Sequence, residues 1–334
     1  MLLAGDVGAT KTRLGIFSQE RGARSPIAEA IFLSRKYPTL EAVVREFLAQ
    51  TGRAVNSACF GVAGPVVGGT AKITNLPWTI DERQLCATLA FSSVTLLNDL
   101  TATAHAIPLL EAVELHTINQ GQPVRRGNMA VIAPGTGLGE AFITWDGSRY
   151  RGYAGEGGHT DFAPNECLEV ELLLELKAQF GHVSWENICS GRGLPNIYRF
   201  LKKRCFAEEP LWLTEKLAKA DDPVPVIVAA ALDQARPCKL CAEALNIFVS
   251  VLGAEAGNLA LKALATGGVY LAGGIPPRIL PFLNNGRFME SFRYKGRMSE
   301  LVAQMPVHVV LNSGIALLGA ACYGLEDYRE GDVK

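Results

Sequence analysis

The sequence predicts an α/β protein built from two lobes, and three observations point to this class. Apolar stretches typical of strands alternate with stretches of helical periodicity over residues 1–145, which is the pattern of an α/β fold. The chain has 334 residues, more than one average domain, which suggests two lobes. Apolar residues make up 49% of it and charged residues 19%, as in ordinary globular proteins.

The N-terminal half contains the strands on which this assignment depends. Residues 2–5 and 12–17 are apolar runs joined by a short turn, which predicts a β-hairpin. Residues 129–133 and 141–145 repeat this layout and hint at a weak internal duplication of one α/β half.

Helices and further strands are predicted along the rest of the chain. Between the two hairpins the pattern predicts a helix at 41–50, strands at 58–62 and 94–97, and a helix from Thr101. After Cys167 it becomes mostly helical, at 167–180, 196–204, 210–220 and along a stretch in which Pro237 takes the first helical position. Strands at 269–271 and 307–311, a closing helix at 315–323 and a polar tail at 326–330 follow.

Composition and charge exclude several classes of protein. With 32 basic and 33 acidic residues the net charge is −1, and the longest basic run, 202–204, is too short for a nucleic-acid surface. Eight cysteines without framework spacing predict a reducing compartment, hence the cytoplasm. The sequence shows neither a basic leader nor an apolar run of about 18 residues, so we expect neither secretion nor a membrane span.

The turn of the first hairpin, GDVGATK at 5–11, is a candidate phosphate site. Gly8 and the Thr10 hydroxyl lie in a tight turn that exposes successive backbone N–H groups to phosphate oxygens, and Asp6 would then face a metal ion. An ordinary hairpin turn in which Gly8 supplies a positive φ explains the same residues. Lys11 does not decide between these interpretations.

The turn of the second hairpin offers a phosphate cradle of the same kind, with Gly135, Thr136 and Gly137. It is not a P-loop, which needs Gly-Lys-Ser/Thr before a helix. It is not a dinucleotide fingerprint either, because Glu140 stands where that motif needs glycine and a strand follows. The two turns in tandem are stronger evidence for phosphate binding than either one alone.

Asn98 and Asp99 stand where the strand 94–97 gives way to a helix, a position from which side chains enter the cleft of an α/β sheet. A carboxylate there can accept a hydroxyl proton, and the helix N-terminus favours its ionised form. Either residue also suits an ordinary helix N-cap, a role that is compatible with catalysis.

The segment GEGGHTDF at 155–162 carries Glu156 and His159 around a glycine pair, and Glu186 follows later in the chain. Such side chains supply the fixed donors and acceptors that sugar hydroxyls need, although ordinary turn chemistry explains the segment by itself. A zinc site at His159 and Asp161 is disfavoured, because zinc needs about four ligands and Cys167 has no recognised spacing.

Two further kinds of motif are weaker. Cys238 and Cys241 form a lone C-x-x-C, which we interpret as thiols packed on a helix rather than half a zinc ribbon or a redox pair, because no second pair exists. Gly193 in SGRGL, and Gly273 and Gly274 in AGGI, would let the backbone pass close to a flat adenine ring. Each of these motifs alone predicts only a loop.

Taken together, the segments resemble the bacterial glucokinase family of the actin-like, hexokinase-type ATPase superfamily, from Gly5 to about Gly319. The most specific matches are LND at 97–99, APGTGLG at 133–139 and EGGHTDFAPN at 156–165, with GHVS at 181–184 and LAGGI at 271–275 in support. All five agree with the family in order and spacing.

The resemblance implies a role for each candidate residue. Asp99 is the implied catalytic base toward the 6-hydroxyl of the sugar. The implied sugar ligands are Asn98, Asp99, Glu156, His159 and Glu186. The implied ATP neighbours are Asp6, Gly8, Thr10, Gly135, Thr136 and Gly137 at the phosphates, with Mg²⁺ near Asp6, and Gly193, Gly273 and Gly274 at the adenine.

The family fold implies a two-lobed, actin-like (ribonuclease H-like) α/β structure around a deep cleft. Residues 1–109 and 312–334 would form the small lobe and 110–311 the large one, and members of the family commonly form homodimers. The implied reaction transfers the γ-phosphoryl group of ATP to glucose at the entry to glycolysis. The repressor-and-kinase group of sugar kinases carries a cysteine-rich zinc motif that this sequence lacks, which favours the zinc-free branch.

Several alternatives stay open at this point. Another hexose or an amino sugar as acceptor, or polyphosphate as donor, would use the same fold. Lys11, Arg192 and the tail beyond Leu325 match nothing that the motifs demand, which leaves the donor contacts near Arg192 open. A sugar-sensing regulator or an actin-like ATPase without a small acceptor is the distant alternative, and no helix-turn-helix precedes Leu2.

Overall fold

The computed structural model of the protein describes residues 1–73 and 75–331, with side chains up to 326. The strands in this part of the chain are β1 (Leu2–Val7), β2 (Lys11–Phe17), β3 (Ala28–Leu33), β4 (Ser57–Val62), β5 (Val66–Val67), β6 (Thr70–Lys72), β7 (Thr79–Asp81), β8 (Ser93–Asn98), β9 (Leu115–Asn119), β10 (Met129–Pro134), β11 (Leu138–Trp145), β12 (Tyr150–Gly155), β13 (Gly268–Leu271) and β14 (Val307–Val310). The helices are α1 (Leu40–Thr51), α2 (Glu82–Leu89), α3 (Asp99–Ala106), α4 (Cys167–Phe180), α5 (Leu194–Lys203), α6 (Leu211–Ala218), α7 (Pro223–Leu232), α8 (Lys239–Ala263), α9 (Leu280–Leu283), α10 (Arg287–Arg293), α11 (Ser299–Ala303) and α12 (Ile315–Gly331).

The chain divides into two compact units, and the first comprises residues 1–111, 145–154 and 312–334. Its main sheet has the strand order β3-β2-β1-β4-β8, in which β1 runs antiparallel to β2 and parallel to β4. The strands β5, β6 and β7 form a separate small antiparallel sheet. The parallel core brings the carboxyl ends of β1, β4 and β8 to the same edge.

Strand β1 is apolar apart from Asp6, because both faces of its sheet are covered. Leu3 and Val7 belong to one buried cluster together with Phe47 of α1, while Leu2 and Ala4 belong to another that includes residues of α12. A strand that is buried on both faces needs a continuous apolar run rather than an alternating pattern. This explains why β1 was easy to predict from the sequence.

The second unit comprises residues 112–144 and 155–311. Its strands β11, β10, β13, β14 and β9 lie side by side in that order, with β10 antiparallel to β11 and parallel to β13. Helix α8 packs on α10 at glycines: a Cβ built on Gly253 would lie 2.2 Å from the Phe288 carbonyl oxygen, and one on Gly257 would lie 2.4 Å from that of Phe292. The backbones therefore approach closely because these side chains are missing.

Helix α8 is, among the described residues, the one helix long and apolar enough to cross a membrane by length and composition. Of its most apolar window, 78% is buried inside the protein. Its apolar residues thus belong to the core of the second unit, together with those of β10, β13 and α5.

The main strands and helices that the sequence predicts are confirmed, with corrections at their ends. Helix α3 begins at Asp99 and not at Thr101, and α8 begins at Lys239 with Cys238 as its N-cap, two residues after Pro237. The predicted polar tail at 326–330 is wrong, because α12 continues to Gly331.

Helix α7 is absent from the predicted helices, because its sequence opens with Pro-Val-Pro and two prolines in three residues are unusual for a helix. Asp222 caps it by accepting from the Val224 N–H at 3.0 Å. Proline is tolerated in the first turn, where an N–H has no acceptor within the helix. Strands β3, β5–β7, β9 and β12 and helices α2 and α9–α11 were not predicted either.

Candidate active site

The turn between β1 and β2, which holds Gly8 and Thr10, is anchored by a residue that the sequence did not single out. The Ser34 hydroxyl donates to the Gly8 carbonyl at 2.7 Å, and the Ser34 N–H donates to the Thr10 carbonyl at 3.1 Å. The Gly8 N–H closes the turn on the Lys11 carbonyl at 3.0 Å. Gly8 does not have a positive φ, so the explanation of this glycine by left-handed backbone is wrong.

Asp6 lies on β1 directly before this turn, opposite Arg13 on β2 and Gly61 on β4. Its carboxyl is half-buried, and burial together with the negative charge of Asp99 raises its pKa to about 6, against the opposing effect of Arg13. The first unit thus brings two predicted residues, Asp6 and Asp99, close enough for their charges to interact.

Asn98, and not Asp99, takes the helix-capping role that the sequence left open between them. The Asn98 side-chain oxygen accepts from Leu100 N–H at 2.9 Å and Thr101 N–H at 3.4 Å, so Asn98 is the N-cap of α3. Asp99 is the first helical residue, and its Oδ1 accepts from Leu100 N–H at 2.9 Å. Capping is therefore carried out by Asn98 and not by Asp99, and both side chains remain half-buried.

The turn between β10 and β11, in the second unit, is held in a compact shape by backbone hydrogen bonds. The Gly135 N–H donates to the Gly137 carbonyl at 2.8 Å, and the Gly191 N–H donates to the Gly135 carbonyl at 2.7 Å. Thr136, between the two glycines, is exposed. The turn is thus held from one side by the 190–193 loop and presents its threonine outward.

Glu186 joins this turn to the segment that carries Glu156 and His159. Its Oε2 accepts from Leu138 N–H at 3.0 Å, and a Cβ built on Gly137 would lie only 2.4 Å from the same oxygen. His159 Nε2 lies 4.0 Å from Glu186 Oε2 and 4.0 Å from Glu156 Oε2. The three predicted sugar ligands of the second unit therefore lie side by side.

The side chains of Glu156, His159 and Glu186 differ in their exposure to solvent. Glu186 is 17% exposed, whereas His159 is 59% and Glu156 71% exposed. Glu186 is thus a fixed acceptor held by the backbone of β11, while the other two remain open to a ligand.

The glycines predicted near adenine differ in the local structure around them. Ser190 Oγ accepts from the N–H groups of Arg192 and Gly193 at 3.1 Å each, and a Cβ on Gly193 would lie 2.3 Å from the Ile188 carbonyl oxygen. Gly273 has a φ of +85°, and its Cβ would lie 2.6 Å from the Pro134 carbonyl oxygen. A Cβ on Gly274 would meet nothing within 4 Å. Close packing thus explains Gly193 and Gly273, whereas Gly274 borders open space.

The weaker motifs have structural explanations. Asp161 Oδ1 lies 2.8 Å from His182 Nε2, an exposed pair on two neighbouring loops. Cys238 and Cys241 are buried and not in a disulfide, and burial raises the pKa of the Cys241 thiol well above its usual range. Within residues 1–73 and 75–331, no three His, Cys, Asp or Glu side chains converge as a metal site would need.

Known proteins match the chain over almost its whole length. A model of the family described as Glucokinase matches residues 3–327. The glucokinase of Nostoc punctiforme is 39% identical over 336 aligned residues, which cover 96% of this chain and 98% of that protein.

Solved structures show the same fold. A glucokinase from an Antarctic psychrotroph shares 30% identity with a TM-score of 0.79, covering 97% of this chain and 98% of that one. A ROK family glucokinase from Streptomyces griseus, solved in complex with glucose and AMPPNP, is 22% identical with a TM-score of 0.64, covering 97% and 99%. These likenesses confirm the predicted α/β fold of the actin-like ATPase type.

Proposed function

The chain belongs to the glucokinase family, a family of sugar kinases, and we propose that it transfers the γ-phosphoryl group of ATP to the 6-hydroxyl of glucose. The observation that carries the proposal is Glu186, whose carboxylate holds the Leu138 N–H at the end of one turn and lies 4.0 Å from His159 Nε2. One side chain thereby links a turn suited to phosphate with groups suited to sugar hydroxyls, which is what a sugar kinase requires.

Asp99 is the proposed general base. As the sugar oxygen forms a bond to the γ-phosphorus, its proton passes to the Asp99 carboxylate, and the bond from that phosphorus to the bridging oxygen breaks to leave ADP. The position of Asp99 at the N-terminus of α3 favours the ionised carboxylate, which is the form able to accept a proton.

The proposed sugar ligands supply both donors and acceptors. Asn98 uses its oxygen for the helix cap, and its Nδ2 donates to the Gly64 carbonyl at 3.1 Å, which leaves its second N–H for a sugar hydroxyl. Glu156, His159 and Glu186 are proposed to hold the other hydroxyls. Orienting the sugar in this way places its reacting oxygen before the phosphorus.

The backbone N–H groups of the two turns are proposed to hold the phosphates, with Gly8 and Thr10 in one and Gly135, Thr136 and Gly137 in the other. Asp6 fits a magnesium ion bound to those phosphates, because its half-buried carboxylate offers the oxygen ligand that Mg²⁺ prefers. The negative charge of Asp99 also acts on Asp6, and a cation would offset the repulsion between the two carboxylates. Bound Mg²⁺ would neutralise charge that develops on the transferred group.

The remaining elements of the proposal follow the family resemblance. Gly193, Gly273 and Gly274 are proposed to border the adenine, and Gly274 has the open surroundings that this requires. The proposed lobes are residues 1–109 with 312–334, and 110–311. A cytoplasmic homodimer acting at the entry to glycolysis completes the proposal.

The Asp99→Asn variant tests the catalytic role. A positioned base contributes about 10² to 10⁴ in rate, so kcat should fall by that factor while glucose binding persists. Coupled detection of ADP release gives kcat, and calorimetry gives the glucose affinity. Asp221→Asn, an exposed carboxylate in a loop, is the matched control and should leave both unchanged. A near-normal kcat in Asp99→Asn would rule out Asp99 as the base.

The acceptor and the donor are tested separately. We expect the wild-type enzyme to prefer glucose among glucose, mannose, fructose and glucosamine, and ATP over polyphosphate, when ADP or sugar phosphate formation is measured. A higher kcat/KM for another sugar, or activity with polyphosphate alone, would replace this substrate assignment while leaving the role of Asp99 in place.

A further inference from the structure

Glu140, on β11, is a buried acid that has no role in the proposed reaction. Its side chain is 3% exposed and is hydrogen-bonded to Glu255 of α8, which is 0% exposed. Glu140 Oε1 has no hydrogen-bond partner among the residues that the structure describes. A charged carboxylate with an unsatisfied oxygen in this position would be costly, so the geometry favours an uncharged Glu140.

The surrounding charges place the negative charge on Glu255. Lys262 Nζ lies 3.3 Å from Glu255 Oε1, and the Asn258 amide donates to Glu255 Oε2 at 2.9 Å. Burial and the charge of Glu255 raise the pKa of Glu140 to about 8, with Lys262 opposing. One proton is therefore held between the two carboxyls, on Glu140, at neutral pH.

Three other titratable groups lie in the same region of the second unit. The Lys295 ammonium donates to the Ala254 carbonyl at 3.0 Å, and burial lowers its pKa. Cys189 is fully buried, and burial with the charges of Glu255, Glu169 and Glu140 raises the pKa of its thiol, which keeps it neutral. Glu169 accepts from Ser250 Oγ at 3.1 Å. None of these groups supplies a cation directed at Glu140 itself.

The same carboxyl supports the segment that carries the proposed sugar ligands. A Cβ built on Gly157 would lie 1.9 Å from Glu140 Oε2, and one on Gly158 would lie 2.1 Å from the Leu138 carbonyl oxygen. The backbone between Glu156 and His159 thus rests directly on β11 and on the Glu140 side chain. A movement of this carboxyl toward Gly157 would press on that backbone, because the space between them does not admit even a Cβ.

We propose that Glu140 is a positioning residue for sugar binding: its uncharged carboxyl, hydrogen-bonded to Glu255, forms the floor under Gly157 and so places Glu156 and His159. The inference rests on the proposed function, because it takes those two side chains as sugar ligands. Loss of the shared proton puts two negative charges side by side in a buried space, and their repulsion displaces the floor. The proton is lost as pH rises through about 8.

The expected signature is a pH dependence of the KM for glucose alone. In the wild-type enzyme this KM should rise above pH 8 by up to about tenfold per pH unit, while the KM for ATP stays constant. Glu140→Gln keeps the shape and the neutral state of the protonated acid, so its KM for glucose should stay flat from pH 7 to 9.5, with kcat at pH 7 within about twofold of wild type.

Two further variants complete the test. Glu255→Gln removes the neighbouring charge, so an ionised Glu140 meets no repulsion and the KM for glucose should stay flat to pH 9.5, which keeps the inference testable if Glu140→Gln does not fold. Glu300→Gln, an exposed glutamate of the same unit, should follow the wild-type profile. The inference is overturned if either Glu140→Gln or Glu255→Gln shows the wild-type rise in the KM for glucose. Failure of the wild-type enzyme to phosphorylate glucose at pH 7 would instead overturn the proposed function.

Discussion

Ser34 and Ser57 are two buried serines of the first unit with opposite hydrogen bonding. Ser34 is fully buried, donates to the Gly8 carbonyl at 2.7 Å and lies 3.0 Å from the Thr12 hydroxyl. Ser57 is 5% exposed, and its hydroxyl has no partner in the described part of the chain. Ser34 therefore stabilises the turn after β1. Burial of the Ser57 hydroxyl costs its hydrogen bonds to water, and no hydrogen bond within the described part of the protein replaces them.

Replacing each serine by alanine should separate these effects. Ser34→Ala leaves buried polar groups without a partner, so the free energy of unfolding should fall by about 1 to 3 kcal/mol and the KM for ATP should rise. Ser57→Ala removes an unsatisfied hydroxyl and should be neutral or slightly stabilising. Urea unfolding curves and ATP titrations measure both. An equal loss of stability in the two variants would contradict this account of the turn.

At the scale of elements, α12 and α3 pack backbone to backbone. A Cβ built on Gly319 of α12 would lie 1.7 Å from the Ala102 carbonyl oxygen of α3. Helix α3 begins at Asp99, and its first turn also approaches Gly61 of β4, where a Cβ would lie 2.9 Å from the Ala102 Cβ. The position of the proposed base is thus determined by helix packing as well as by its own hydrogen bond.

Gly319→Ala should therefore destabilise the protein although alanine is the better helix former. The gain in helix propensity is about 1 kcal/mol, but the clash with the backbone of α3 should outweigh it and leave a net loss of about 1 to 3 kcal/mol, with a lower kcat. Thermal unfolding and steady-state kinetics measure the two effects.

The comparison variant is Gly324→Ala, on the same helix. Its Cβ would meet side-chain atoms, Leu2 Cδ2 at 2.8 Å and Cys59 Cβ at 2.9 Å, rather than backbone. The loss of stability should be smaller and kcat unchanged. A larger effect at Gly324 than at Gly319 would show that α3 is not positioned in this way.

For the whole molecule, the proposed sugar ligands come from both units. Asn98 and Asp99 belong to the first, and Glu156, His159 and Glu186 to the second. A ligand that binds only the folded protein shifts the unfolding equilibrium, whichever unit supplies the contacts. Stability in the presence of sugar therefore reports on the proposed site without requiring turnover.

Glucose at about 100 times its Kd should raise the free energy of unfolding by about 2.7 kcal/mol. Asp99→Asn should keep most of this increase, whereas His159→Ala should lose most of it. Thermal unfolding with sorbitol at the same concentration corrects for general solute effects. If sorbitol raises the melting temperature as much as glucose does, specific binding at these residues is excluded.

The sequence pattern within a few residues is enough to predict the features of the fold that depend on neighbouring residues. Strands β1 and β10, the two glycine turns and the strand-to-helix junction at Asn98 and Asp99 follow from apolar runs and turn residues within a few positions. The ends of α3, α8 and α12 were less well predicted, because caps and tertiary packing decide them.

The sequence by itself therefore determined the α/β class, the family and the residue types available for phosphoryl transfer. Only the tertiary structure decided that Ser34 holds the Gly8 turn, that Glu186 joins the Leu138 backbone to His159, and that Glu140 meets Glu255 beneath Gly157. The physical reason is that a hydrogen bond or a shared proton between residues distant in the chain depends on their positions in space and leaves no periodicity or spacing in the sequence.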